Sequence, residues 1–258
     1  MSRRAALLAF AISALALAPL ARAEPVQRNG VRVSFSGKIS PTKLPRRGSA
    51  PIAVTVGGEI KTVDGSPPPQ LKGIEIEVNR AGRFDPEGLP SCTYSKIQPT
   101  TTAGAQRACG PAKVGEGSFA ADVVIPEQSP FPSRGKIVAF NGVDRGRPVI
   151  LAHVYGTAPV PLSFTLVLRM KRGKGTWGTV LSASLPEVTS DVAYVTGISL
   201  TLDRRFSSSG RTRGYVSAGC PAPKGLPGAV FPLLRSSFSF VEAPILTATL
   251  TRSCKATG

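Results

Sequence analysis

The sequence predicts an all-β fold: an antiparallel β-sandwich of jelly-roll type, braced by disulfides, with a flattened β-barrel as the alternative. Three observations carry this. Apolar and polar residues alternate with period two from end to end, the pattern of strands with one buried and one wet face. The 24 prolines and 27 glycines fall mostly between those runs, in stretches such as "GSPPPQ", "PEQSPFPSRG" and "CPAPKGLPG". No stretch of ten residues carries an amphipathic helical period without a breaker, so crossover helices for a parallel sheet are missing.

In chain order, Val31, Val33 and Phe35 alternate with Arg32, Ser34 and Ser36 to make the first strand. Residues 52–63 make the next. Ile74, Ile76 and Val78 then alternate with Glu75, Glu77 and Asn79. Runs at 118–125, 136–140 and 149–155 follow. The segment "SFTLVLRMKRGKGTWGTVLSASL" reads as a hairpin with strands at 162–170 and 177–185, its Lys/Gly-rich turn leaving Gly173 and Gly175 free for positive φ. Strands at 192–202, 238–241 and 245–251 complete about a dozen. A single β-sandwich domain over 24–258 is expected, with two β domains split near 126–134 as the alternative.

The N-terminal residues predict export. Arg3 and Arg4 precede an apolar run over 5–20, and Ala21-Arg22-Ala23 has the small-x-small form of a cleavage site, so residues 1–23 read as a signal peptide cut near Ala23. That run includes Pro19 and is short for a membrane span. Ser2-Arg3-Arg4 is followed by Ala5 and Ala6, which favours the general secretory route over twin-arginine export. The tail "TRSCKATG" carries no hydrophobic anchor. A secreted, extracytoplasmic chain without a transmembrane segment in its mature part is expected.

The whole chain has 32 basic and 15 acidic residues, a net charge of +17. Cleavage removes Arg3, Arg4 and Arg22 and no acid, which leaves +14. Such a surface attracts polyanions, or it serves solubility alone. Four cysteines, Cys92, Cys109, Cys220 and Cys254, form an even set suited to an oxidising compartment. Locality favours pairing Cys92 with Cys109 and Cys220 with Cys254, which the loop-entropy model values at about 3 and about 4 kcal/mol. The first would tether "TYSKIQPTTTAGAQRA", too rich in Thr and Gly to order itself. A zinc site is disfavoured by the missing Cys-x-x-Cys knuckle.

The stretch "ACGPAKVGEG" resembles two known sites and completes neither. Cys109-Gly110-Pro111 begins like a thioredoxin motif, but Ala112 provides no second thiol. Gly110 and Gly115 have phosphate-loop spacing, but Glu116 stands where the lysine belongs and would repel phosphate. No nucleotide is expected. Cys109 closes a loop, and Gly115 and Gly117 introduce the strand starting at Ser118.

Catalytic chemistry is scarce. His153 is the one histidine, no G-x-S-x-G elbow occurs, and no metal or other cofactor is implied. Paired carboxylates remain: Glu75 and Glu77 project from one strand face and could serve a carbohydrate-active enzyme, although a solvated sheet face is the favoured account, since the alternation needs no further cause. Asp85, Glu87, Asp144 and Asp191 read as turn formers. The best binding cluster is the hairpin tip, Arg169, Lys171, Arg172, Lys174 and Trp177, where cations beside an indole could hold an acidic polymer or carbohydrate. The pairs Arg46-Arg47, Arg145/Arg147, Arg204-Arg205 and Arg211/Arg213 are scattered among turns.

The motifs "GLPSC", "ACGPAKVGEG", "VAFNG", "AGCPAP" and "TRSC", together with the leader, span most of the mature chain. In them the chain resembles a group of exported proteins of high-GC Gram-positive-type bacteria. These motifs are cysteines, glycines and prolines, so the resemblance implies a compartment and no catalytic residue. The expected function is a secreted, non-catalytic binding or structural module of the cell envelope, contacting polyanionic or carbohydrate polymers. A carbohydrate-active enzyme is the alternative.

Overall fold

Alternation becomes strand geometry along nearly the whole chain. The computed structural model describes residues 23–124, 127–158, 161–185, 193–208 and 210–258. The expected signal peptide, apart from Ala23, lies outside them, as does Asp191. The chain opens with β1 (Glu24–Arg28), β2 (Val31–Ser40), β3 (Lys43–Pro45), β4 (Ala50–Pro51), β5 (Ala53–Thr62), β6 (Leu71–Asn79) and β7 (Gly82–Phe84). Two short helices follow, α1 (Tyr94–Ile97) and α2 (Thr102–Cys109). Then come β8 (Lys113–Val123), β9 (Phe131–Asp144), β10 (Arg147–Gly156), β11 (Leu162–Arg172), β12 (Trp177–Ser184) and β13 (Ala193–Leu202). The last strands are β14 (Arg205–Ser208), β15 (Arg211–Gly214), β16 (Val216–Ala218), β17 (Gly228–Phe240) and β18 (Leu246–Thr257). No helix among the described residues is long and apolar enough to cross a membrane.

Thirteen strands form one sheet in the order β1-β2-β5-β13-β8-β9-β10-β11-β12-β6-β17-β18-β3. Every pair is antiparallel except β18 with β3. The sheet curls into a half-barrel, so the two layers of a sandwich are halves of one ladder. Side chains link its margins: Thr251 N and Arg252 Nη1 on β18 donate to the Glu24 carboxylate on β1, at 3.2 and 3.1 Å. Arg252 Nε also donates to Gly37 O on β2 at 2.8 Å. Small sheets β4-β16-β7 and β14-β15 flank the main one.

Inward-facing residues, among them Phe35, Ile60, Phe119, Phe164, Leu234, Phe238 and Leu250, make the main core. A second cluster lies on the outer face, where Cys92, Ile97, Ala105, Cys109 and Ala112 cover Val138, Phe140, Val149 and Leu151. The centre of β10 is therefore buried on both faces. That explains why "VILAHV" does not alternate, since a strand covered on both sides needs apolar residues at successive positions.

The disulfides join Cys92 to Cys109 and Cys220 to Cys254, with Cα atoms 5.6 and 5.7 Å apart. The first bond braces the covering helices. Cys92 is itself held on β9, with its N–H donating to Asn141 O at 2.8 Å and its carbonyl accepting from Val143 N at 3.1 Å. The segment between these cysteines, expected as a tethered loop, instead forms the two helices. Thr101 caps α2 by accepting from Gly104 N at 3.1 Å, and Ile97 and Ala105 are fully buried.

Three other expectations need correction. The strand expected at 118 begins at Lys113, and Gly115 and Gly117 lie inside it. A Cβ there would stand 2.0 Å from Thr201 O and 1.9 Å from Ser199 O of β13, so these glycines permit close backbone approach instead of introducing the strand. The strand expected at 238–241 begins at Gly228 and tolerates Pro232 through a bulge. In the β11–β12 turn only Gly175 has positive φ; Gly173 is required because a Cβ would meet Trp177 O at 2.6 Å. Within the segment near 126–134, residues 131–134 already belong to β9 and pair with Ala120–Val123 of β8.

Candidate functional site: a cationic groove beside the β9–β10 turn

Residues Asp144 to Arg147 close the β9–β10 hairpin in two residues, Arg145 and Gly146, with φ of 51° and 76°. Both values lie in the left-handed region that such a turn demands. Register then decides the neighbours. Val149 of β10 pairs with Arg169 of β11, which places Arg169 and Lys171 on the outer face, on the same side as the turn. The result is a groove of about 340 Å³ whose charged lining is Arg145, Arg147, Arg169, Lys171 and Asp144.

The one acid is occupied. Arg169 Nη2 donates to Asp144 Oδ2 at 3.2 Å, so Asp144 both ends the strand and anchors a groove cation. Arg145, Arg147 and Lys171 form no ion pair with another described residue. Four cations around one paired carboxylate make a concave positive surface, where the low-dielectric wall strengthens the field felt by an anion.

The hairpin-tip residues separate. Arg169 and Lys171 enter the groove. Arg172 pairs with Thr179 on the opposite parity, and Lys174 sits in the turn, its carbonyl accepting from Trp177 N at 3.0 Å. Both are exposed. Trp177 is half-buried and turned towards β6 and β17, where the Arg235 guanidinium lies 5.1 Å from its ring centroid.

Arg235 in turn grips Glu77 with two nitrogens, Nη2 reaching Oε1 at 2.8 Å and Nε reaching Oε2. The hydrogen bond to Glu77 raises the Arg235 pKa, so this cation stays charged. Glu75 is exposed beyond it. The Glu75/Glu77 pair therefore stands on an open sheet face with one member held by an arginine. Lys171, Val180, Glu77 and Arg235 occupy one cross-strand row, which puts Lys171 and Arg235 roughly 14 Å apart at the usual strand spacing.

His153 is fully buried on β10 beneath the helical cap, between Val138 and Thr165. Neither ring nitrogen has a hydrogen-bond partner of normal geometry. Burial pushes its pKa below 6.5, and the nearby Ile97 backbone opposes this only in part. Two members of the scattered basic pairs are structural: Arg46 donates to the carbonyls of Ala222, Pro223 and Leu226, and Arg213 to Asp85. Among the described residues no group of three or more His, Cys, Asp or Glu side chains comes together.

Sequence reasoning found Arg169 and Lys171 but treated Arg145 and Arg147 as stray, and it did not single out Arg235. Nothing local signals the groove, because register across two hairpins builds it. Fold and site together define a disulfide-braced, half-barrel β protein with a cationic surface groove. Comparison with protein-family models, with curated proteins and with solved structures finds no match.

Proposed function

We propose that the chain is a secreted, non-catalytic module of the cell envelope that holds an acidic polymer in the groove between the β9–β10 turn and β11. The observation that carries this reading is the convergence of Arg145, Arg147, Arg169 and Lys171 around a 340 Å³ concavity whose one acid is already paired. Two disulfides suit an oxidising compartment, and the N-terminal leader supports export. The Trp177–Arg235 stack extends the same face and offers a sugar ring a second contact. The carboxylate-pair enzyme is disfavoured because Glu77 is engaged by Arg235 and leaves Glu75 without a free partner.

Titration with dextran sulfate, with neutral dextran as control, tests the reading. Binding is expected to weaken steeply as salt rises, because attraction between exposed charges is screened. Arg147→Ala with Lys171→Ala is expected to cost tenfold or more in affinity, while Arg204→Ala with Arg205→Ala costs little. Equal losses from both pairs would mean a diffuse positive surface and defeat the proposal.

A further inference from the structure

The inward faces of β5 and β17 break their own pattern. On β5 the inward residues run Val54, Val56, Gly58, Ile60, so a glycine occupies a core position facing Phe238, whose ring would lie 3.5 Å from an added Cβ. On β17 the inward series Leu234, Ser236, Phe238, Phe240 contains a serine that is fully buried. Its hydroxyl donates to Glu75 O at 3.2 Å. Two small residues, on β5 and β17, thus line the same cavity of the half-barrel.

The space they leave is open. One cavity of about 40 Å³ lies between Gly58, Ile74, Ile198, Ser236 and Phe238. A second, of about 50 Å³, continues towards Val54, Leu168, Leu202 and Leu233 and is lined by apolar side chains alone. They meet at Val56 and Ile76, which line both. Val54, Val56, Ile74, Ile76 and Ile198 point into the core and yet remain only half-buried, so molecules of water size reach them. Protein interiors are normally packed without such voids, and apolar cavities stay dry and accept apolar guests.

We propose that this double cavity is a binding site for one unbranched acyl or alkyl chain. From Ile60 to Val54 the lining runs six residues along β5, roughly 20 Å at ~3.3 Å per residue. A narrow, elongated and apolar channel matches a linear chain, and Ser236, in the first cavity, is the one polar side chain lining either part. The site lies on the inner face of the sheet and is independent of the cationic groove on the outer face.

The test uses the mature chain, with cis-parinaric acid as a fluorescent probe and myristate as competitor. Saturable, near-equimolar fluorescence enhancement reversed by myristate is expected. Ile76→Phe and Ser236→Leu, at paired positions of β6 and β17, each narrow the channel from that wall; each is expected to lower probe affinity at least tenfold while leaving the unfolding temperature and dextran sulfate binding at parental levels. Methyl resonances of Ile74, Ile76 and Ile198 in the unmodified protein should shift with myristate while that of exposed Ile245 does not, a readout that needs no variant. The proposal fails if no saturable binding occurs, if filled variants that remain folded bind as well as the parent, if the shifts spread to Ile245, or if a sterol displaces the probe better than myristate.

Discussion

Two parts of the same sheet are built to opposite rules. At its centre, β9 and β10 are buried on both faces, with the main core inside and the disulfide-braced helices α1 and α2 outside. Towards one margin, β2, β5 and β13 bury one face and present Ser34, Ser36, Gly57 and Ser199 to solvent. The central strands carry bulky residues at successive positions, and the marginal strands alternate. The difference teaches that the helical cap is a third layer of structure, present only where the outer face is apolar enough to need it.

The strongest way to break this contrast is to remove packing beneath the cap. Phe140 is completely buried there, and Phe140→Ala is expected to cost about 3 to 5 kcal/mol in urea unfolding. Ser199→Ala, on the wet face of β13, should stay within about 0.5 kcal/mol. Comparable losses at both positions would show that the outer faces are equally buried.

A smaller effect comes from cutting the brace. Replacing Cys92 and Cys109 together by serine is expected to lower stability by about 2 to 4 kcal/mol. The loss should appear first as faster amide exchange in α2 and at the outer face of β9, with β2 and β5 unaffected. Exchange that accelerates uniformly would mean the cap does not open on its own.

The smallest expected effect sharpens the comparison through pH. His153 beneath the cap has its folded pKa depressed below 6.5 by burial. Below pH 6.5 the unfolded chain binds a proton that the folded chain refuses, so stability falls as pH drops from 6.5 towards the folded value and flattens beneath it. Above 6.5 the stabilising contribution is complete. His153→Gln should flatten the dependence between pH 7.5 and 5, measured as urea midpoints; an unchanged slope would place its origin elsewhere. Asp64 and Glu116, whose pKa values are lowered by Ser66 and by Lys113 respectively, are exposed and act in a more acidic range.

Much of this architecture was legible in the residues. Alternation at 31–36 and 74–79 located β2 and β6 because one wet face leaves a period of two. Locality found both disulfides. The Asn29-Gly30 turn, with φ of 48° and 77°, was an equally clear hairpin signal for β1 and was overlooked. The helices of the cap were not legible, since they are short and their order comes from the disulfide, the Thr101 cap and contact with β9. The groove and the channel were hidden for a related reason: Arg147 meets Lys171, and Gly58 faces Phe238, only when strands distant in sequence come into register.

What the sequence by itself determined is the strand-forming alternation, the punctuation between strands, the cysteine pairs and the positive charge, all properties of neighbours along the chain. Tertiary structure alone decided that the ladder curls into a half-barrel, that a cap covers its centre, that four cations line one groove and that small residues open a channel. These depend on strand order and register, which are chosen by the burial of the whole apolar surface at once and by no local segment.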